Sequence, residues 1–273
     1  MRPTEATPSK ARRQARRPRV ADLVADNLRD RVLSGELADG DLLPRQEQLI
    51  DDFAVSPPSL REAFRILETE GLVTIIRGNV GGAQVEIPRP EKVAYLLAMV
   101  LQVRGISIDD VAVSLGELES LCAAMVARRP DRGTVVTALR ERIEESRAAF
   151  EDTDAYVRLA RQFHEDLVHG CGNETLVIVL GAVETLWSAH VEELTLRREA
   201  LEPFTDLSFR QRSLDAHVAI ADAIEAGDAT LVAELVRDHM NEPARHNFIG
   251  ADLVVRSSMV RHASTEAGRR PVH

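Results

Sequence analysis

Several things are scarce in this sequence, and each scarcity excludes something. Cys122 and Cys171 are the only cysteines among 273 residues, too few for a thiolate metal cage or a disulfide framework. They read as two buried thiols of a reducing compartment. Lysine occurs only at Lys10 and Lys92, so the basic side chains are almost all arginine, a bias that a GC-rich genome produces without any binding chemistry. Aromatic residues make up 4% of the chain, which leaves Leu, Val, Ile and Ala to build the core. No apolar run reaches the roughly 18–20 residues of a membrane span. The N-terminus carries no apolar stretch ahead of a cleavage site, so it does not read as a secretory signal. These absences lead us to expect a soluble, cytoplasmic protein without a membrane partner.

What is present fits two domains: 273 residues, 44% hydrophobic and 29% charged, exceed the about 100–200 residues of a usual single domain. The net charge of −10 argues against indiscriminate coating of nucleic acid. The charge is unevenly spread, however. Acidic and basic residues nearly cancel through Arg89, and the excess of acid follows Pro90. Only the front third suits phosphates.

Residues 1–19, MRPTEATPSKARRQARRPR, are basic and nearly devoid of large apolar side chains, the composition of a disordered arm. Such an arm serves either to touch DNA or merely as a solvated end. From Val20 the periodicity turns helical, with Val20, Leu23, Val24, Leu28, Val32 and Leu33 at three- and four-residue steps before Gly35. Leu49, Ile50 and Phe53 mark a second helix. Ser56 followed by Pro57 and Pro58 is a strong start for a third, an N-cap residue ahead of first-turn prolines, and Gly71 ends it. Then Leu72 to Ile76 and Ala83 to Ile87 read as short strands around a Gly-rich turn. Three helices and a hairpin over residues 20–88 predict a winged helix-turn-helix. Pro88 and Pro90 mark a linker, and residues 89–249 predict an all-α bundle of six or seven helices broken at Gly105, Pro130, Gly170–Gly172, Pro203 and Gly227. Residues 250–273 read as a polar C-terminal tail. The expected fold class is mostly α: a winged helix-turn-helix followed by a helical bundle.

In a helix-turn-helix the second helix of the pair enters the major groove with its N-terminal residues facing the bases. That position presents Ser56, Ser59, Arg61 and, one turn on, Arg65. Arginine can bridge guanine or grip phosphate, and serine can bond to either. The hairpin tip adds Arg77, Gly78 and Asn79.

The stretch GELADGDLLPRQEQLIDDFAVSPPSLREAFRILETEGLVTIIRGNVGG resembles the DNA-binding domain of the GntR superfamily, with its G-x-L-x-x-G-x-x-L-P, V-S and R-E-A-L-x-x-L-x-x-E-G-L-V segments. The resemblance implies that Ser56, Ser59, Arg61, Arg77 and Gly78 lie where that family touches DNA. Pro57 stands where the family usually has Arg, and Glu47 where a basic residue is usual, with Arg45 two places earlier. Each lost bidentate arginine removes about 1–3 kcal/mol of base discrimination, so a different operator is expected.

In the second domain His164, His217 and His239 lie on separate expected helices. Three imidazoles can form a metal site inside a bundle, although a lone helical histidine is more often structural. QFHEDLVHGCGN, DAHVAIADAIEAGDA and ELVRDHM resemble the all-helical effector domain (FCD type) of the FadR branch. Many of its members bind a divalent metal through an Asp one turn before the first His plus three histidines, with a carboxylate effector completing the shell. Here the Asp position is Ala160, and an expected Arg falls on Leu115. Three neutral imidazoles still suit zinc or nickel, with manganese a third choice. The alternative is an apolar pocket for an acyl or other lipid-like ligand. His169 and His190 match no family position and read as structural or surface residues. His164-Glu165 with His169 is not the metalloprotease HExxH, because five residues turn the second ring about 140° away.

The resemblance implies a homodimeric transcription regulator on a short palindromic operator, repression being the family's commoner mode, with DNA affinity altered by a small effector. An architectural DNA-binding protein without effector is one alternative, and a metal-dependent hydrolase another. No nucleophile elbow, P-loop or GxGxxG supports an enzyme.

Overall fold

A computed structural model of the chain describes residues 19–76, 82–197, 207–247 and 253–260. Most of the expected basic arm and the hairpin tip Arg77, Gly78 and Asn79 lie outside these residues. Contacts divide the chain into two units, Met1–Pro88 and Arg89–His273.

In the first unit the helices are α1 (Val20–Leu33), α2 (Gln46–Phe53) and α3 (Pro57–Glu70), followed by β1 (Val73–Ile76) and β2 (Gly82–Val85). Their apolar stripes meet in one core in which Leu28, Leu49, Leu60, Ala63, Phe64, Leu67, Val73 and Val85 are buried. Burial of such stripes, rather than helix propensity, holds short helices together. The strands pair antiparallel, Val73 opposite Val85 and Ile76 opposite Gly82. A third edge was not legible in the sequence: Leu42 bridges Gln84, and the Leu43 amide donates to the Ala83 carbonyl at 2.8 Å. On the surface Arg29 of α1 grips Glu70 at the end of α3 through two bonds of 2.8 and 2.7 Å. Gly71 closes α3 at φ +70°, a left-handed conformation that only glycine adopts without cost.

The second unit consists, among its described residues, of α4 (Pro90–Val103), α5 (Ile108–Arg128), α6 (Arg132–Ala148), α7 (Thr153–His169), α8 (Glu174–Arg197), α9 (Leu207–Ala226) and α10 (Ala229–Asn247). α5 is the axis. Its buried residues, among them Ile108, Val111, Leu115, Cys122, Ala123 and Val126, fall on more than one face, as in a helix surrounded by others. α6, α7, α8, α9 and α10 all pack against it. Ser107 caps α5 through the Asp110 amide at 3.2 Å. The break between α6 and α7 carries neither Gly nor Pro and was missed in the sequence. Its signal is the N-cap Asp152, which accepts from the Ala155 amide at 3.0 Å.

Arg210, on α9, fixes that break from inside. It is 2% exposed, donates to the Phe150 carbonyl at 2.6 Å and to the Thr153 hydroxyl, and its own carbonyl accepts from the Tyr156 hydroxyl at 2.8 Å. Its guanidinium also lies 5.6 Å from the Tyr156 ring centroid.

The polar tail expected from residue 250 needs correction. Within it, Leu253–Val260 docks on the bundle: Val254 bridges Ser107, the Ile108 amide donates to the Leu253 carbonyl at 2.7 Å, and Val255 and Val260 are fully buried. The strongly polar run up to His273 masked the short apolar group Leu253-Val254-Val255 and the pair Met259-Val260 when the segment was read as a whole.

Replacing Arg210 by Met should lower stability by about 1–3 kcal/mol, the usual cost of orphaning buried acceptors, measured by urea unfolding. A change below about 0.5 kcal/mol, typical of surface substitutions, would contradict the role assigned to it.

Candidate functional site

The sequence singled out two constellations, one in each unit. In the first, Ser56 is the N-cap of α3, its hydroxyl accepting from the Ser59 amide at 3.4 Å and lying 2.9 Å from the Ser59 hydroxyl. Pro57 and Pro58 follow with no amide hydrogen to offer. The start of α3 therefore has little free backbone N–H for a phosphate, the usual attraction of a helix N-terminus. Side chains are left as the main polar groups that this end of α3 offers. Ser56, Arg61 and Arg65 are exposed, Ser59 is half-buried, and Arg65 lies 3.5 Å from Glu62. Arg45 is exposed at the start of α2. The turn between α2 and α3 passes through Ala54 at φ +50°, a left-handed conformation that fixes the angle at which α3 leaves α2.

In the second unit α7, α9 and α10 bring His164, His217 and His239 together. Each ring turns its Nε2 inward: His217 to His164 at 3.3 Å, His217 to His239 at 3.2 Å, and His239 to His164 at 3.3 Å. His217 is 1% exposed and stacks on Phe163, with centroids 4.0 Å apart and planes 9° from parallel. The Nδ1 of His239 is buried and has no hydrogen-bond partner among the described residues.

This triangle has a chemical consequence. A ring nitrogen either carries a proton and donates or bears a lone pair and accepts. Around a ring of three, donors and acceptors cannot alternate, so hydrogen bonds alone cannot satisfy all three contacts. A cation that accepts three lone pairs can. Nitrogens at about 2.0–2.1 Å from a tetrahedral zinc lie about 3.3 Å from one another, close to the spacing observed. The residues present therefore fit a divalent metal.

The protonation preferences agree in part. Burial, then the neighbouring His239 and His164, hold His217 well below the ordinary imidazole value. Burial, then His164, push His239 down to about 3. Both rings are neutral at neutral pH, the ligating form. Burial also opposes a charge on His164, but the Glu119 carboxylate outweighs it and holds that imidazole above its ordinary value. A proton and a metal therefore compete for that ring.

Glu119, on α5, is the residue that sequence reasoning missed. It is 2% exposed and bonds to Nδ1 of His164. Its signal was present as an acidic residue on an apolar stripe, between Leu115 and Cys122 of α5. Ala160 lies one turn before His164 and is half-buried, while Leu115 is buried. Neither position offers a charge. His169 is exposed and its Nδ1 donates to the Glu165 carbonyl at 2.7 Å. His190 is buried, donating to the Leu186 carbonyl at 2.7 Å and accepting from the Arg256 amide at 2.9 Å. His169 thus lies at the surface and His190 in the core, and neither joins the cluster.

A winged helix-turn-helix joined to a helical unit with a histidine cluster defines a DNA-binding transcription regulator with an effector domain, not an enzyme. Comparison with known families agrees. The model of "Bacterial regulatory proteins, gntR family" matches residues 20–81 and that of the "FCD domain" matches residues 110–242. The chain is a GntR-family regulator with an FCD effector domain. It is 26% identical over 235 residues to the HTH-type transcriptional repressor NanR of Enterobacter sp. (strain 638), covering 84% of this chain and 86% of that protein. Against the repressor of the same name from Salmonella schwarzengrund (strain CVM19633) it is 24% identical over 247 residues, 88% of each chain. Among solved structures, Streptococcus agalactiae GntR shares the fold with a TM-score of 0.57 at 21% identity, over 82% of this chain and 99% of that one.

Ser56→Ala should cost the DNA-binding unit about 1 kcal/mol through loss of the cap on α3, read as a lowered midpoint in thermal or urea unfolding followed by helical signal. An unchanged midpoint would mean that the cap contributes nothing.

Proposed function

We propose that the chain is a cytoplasmic, homodimeric repressor whose affinity for a short palindromic operator is set by a divalent metal and an anionic effector in the helical unit. The observation that carries this reading is the triangle of Nε2 atoms, which hydrogen bonds cannot satisfy and a metal can. His164, His217 and His239 would hold the ion, and the ion would supply an electrophilic centre for the effector. Zinc or nickel suits three imidazoles best, with manganese third. Because all three ligands are neutral when bound, the positive charge of the ion remains for an anion. A small carboxylate is the natural effector, held by the metal because Leu115 provides no arginine. The repressing sign follows the curated relatives, which are named repressors.

In the DNA-binding unit we assign the operator contacts to Arg45, Ser56, Ser59, Arg61 and Arg65, with Arg77, Gly78 and Asn79 at the wing tip. The two prolines leave base reading to side chains, above all Arg61 and Arg65. A surface for a second copy is also exposed. Val93, Leu96, Val100 and Val103 of α4 are 43, 52, 53 and 89% exposed, and their three-four-three spacing is that of a helix-pairing seam. Ile178 and Val179 of α8, a helix that packs against α4, are exposed as well. We propose that the dimer buries this seam.

Metal content of the purified protein, measured by mass spectrometry, tests the site. About one zinc, nickel or manganese per chain is expected, lost in His217→Ala and in His239→Ala. A wild type that stays metal-free after incubation with zinc would overturn the metal reading and turn attention to a bound lipid-like ligand. For DNA, Arg61→Ala should weaken operator binding by about 1–3 kcal/mol, roughly 5- to 150-fold, in a titration at fixed salt. Equal binding to operator and random duplex by the wild type would instead point to an architectural protein. Val100→Glu should convert the dimer to monomer in sedimentation.

A further inference from the structure

We propose that Glu119 is the positioning residue of the histidine cluster: it accepts the Nδ1 proton of His164, so that the Nε2 lone pair faces the metal, and it supplies negative charge from outside the ligand set. The inference rests on the metal reading above and extends it to a residue that is not itself a ligand.

Three observations support it. The bond runs from Nδ1 of His164 to a carboxylate oxygen of Glu119, while Nε2 of the same ring makes both contacts inside the triangle. A neutral imidazole carries one proton, and a bond of this kind to a carboxylate fixes it on Nδ1 and leaves Nε2 bare. Second, the carboxylate is 2% exposed, and a charge removed from water to that degree is costly unless a cation or a donor compensates. The edge of an imidazole bound to a divalent ion provides both. Third, the cluster itself contains three histidines and, among the described residues, no carboxylate, since Ala160 occupies the position one turn before His164. Glu119 is therefore placed to provide the charge that the neutral ligands lack.

The placement is set by α5. Glu119 follows Leu115 by one turn and precedes Cys122 by one turn, all three buried. The carboxylate thus projects from the central helix toward α7, and the helix that forms the core also sets the ring of the first ligand.

Two measurements test this. The first is cobalt binding by the full-length protein, followed by titration and by the visible absorption of the bound ion, for wild type, Glu119→Gln and Glu119→Ala. Removing an outer partner of a ligating histidine weakens metal binding about 10- to 100-fold, so Glu119→Ala should lose that much. Glu119→Gln keeps the shape and an oxygen to accept the proton but not the charge, so it should fall between Ala and wild type with an unchanged melting temperature. A purely structural carboxylate would shift the melting temperature and leave the cobalt affinity and spectrum of the folded protein unaltered.

The second is the tautomer of His164 in metal-free protein, read by long-range proton–nitrogen NMR in mildly alkaline solution. It should be Nδ1-protonated in wild type and Glu119→Gln, and mixed in Glu119→Ala. Equal cobalt affinity in all three proteins, or Nε2 protonation of His164 in the wild type, would overturn the proposal. If the wild type binds no cobalt, the metal reading fails, and the outer-shell role of Glu119 fails with it. Affinity unchanged by substitution in a wild type that does bind cobalt would sink only the role of Glu119.

Discussion

Three ring nitrogens in mutual contact cannot all be hydrogen-bonded to one another, and the helical unit is built to keep them in contact. Such an arrangement persists only where the surrounding packing is strong enough to impose it. Here the three histidines come from α7, α9 and α10, each of which packs against α5. One face of the cluster is closed by Phe163 against His217, and one ring is held from α5 by Glu119. Two turns before His217 on the same helix, Arg210 ties α9 to the α6–α7 break, so the helix that carries His217 is anchored at its other end. The C-terminal segment adds a clasp, with Val255 and Val260 buried and the Arg256 amide on His190.

Much of this was legible from spacing. The DNA-binding unit follows from its punctuation: Ser56 ahead of two prolines, Gly71 after a helical stripe, and a change of period at Leu72. Spacing marked the three histidines on separate helices, and the family resemblance tied them to one site, because a lone His on a helix is a weak signal and the helices that bring them together are far apart in sequence. Glu119 and Arg210 were missed for a related reason. Each is a charged residue on an otherwise apolar stripe, and its partner lies on another helix. The docked segment Leu253–Val260 was hidden by the polar residues that follow it. The third edge of the hairpin, at Leu42, is a single bridge, too short for a period of two to show.

The same reading explains why the two departures from the family pattern belong together. Ala160 removes an anionic ligand and Leu115 removes a cationic anchor, so the combined charge of the site changes little. In the proposed site the division of labour changes instead: a metal would hold an anion alone, and Glu119 would provide charge from behind His164. At the DNA end, Pro57 and Pro58 take away both an arginine and backbone amides, which would place the burden of recognition on a few exposed side chains. A ligand can alter DNA affinity only as far as it binds one arrangement of the protein better than another, so the coupling proposed between the two ends is a free energy that can be measured.

The most direct test is operator affinity measured with and without a stoichiometric amount of zinc, in the presence of small carboxylates, for the wild type and for His217→Ala. The account requires that zinc with carboxylate change the affinity of the wild type by about 5- to 150-fold, the usual range of such coupling, and leave that of His217→Ala unchanged. Identical affinities for both proteins under all conditions would contradict it, because the histidine cluster would then have no connection to DNA binding.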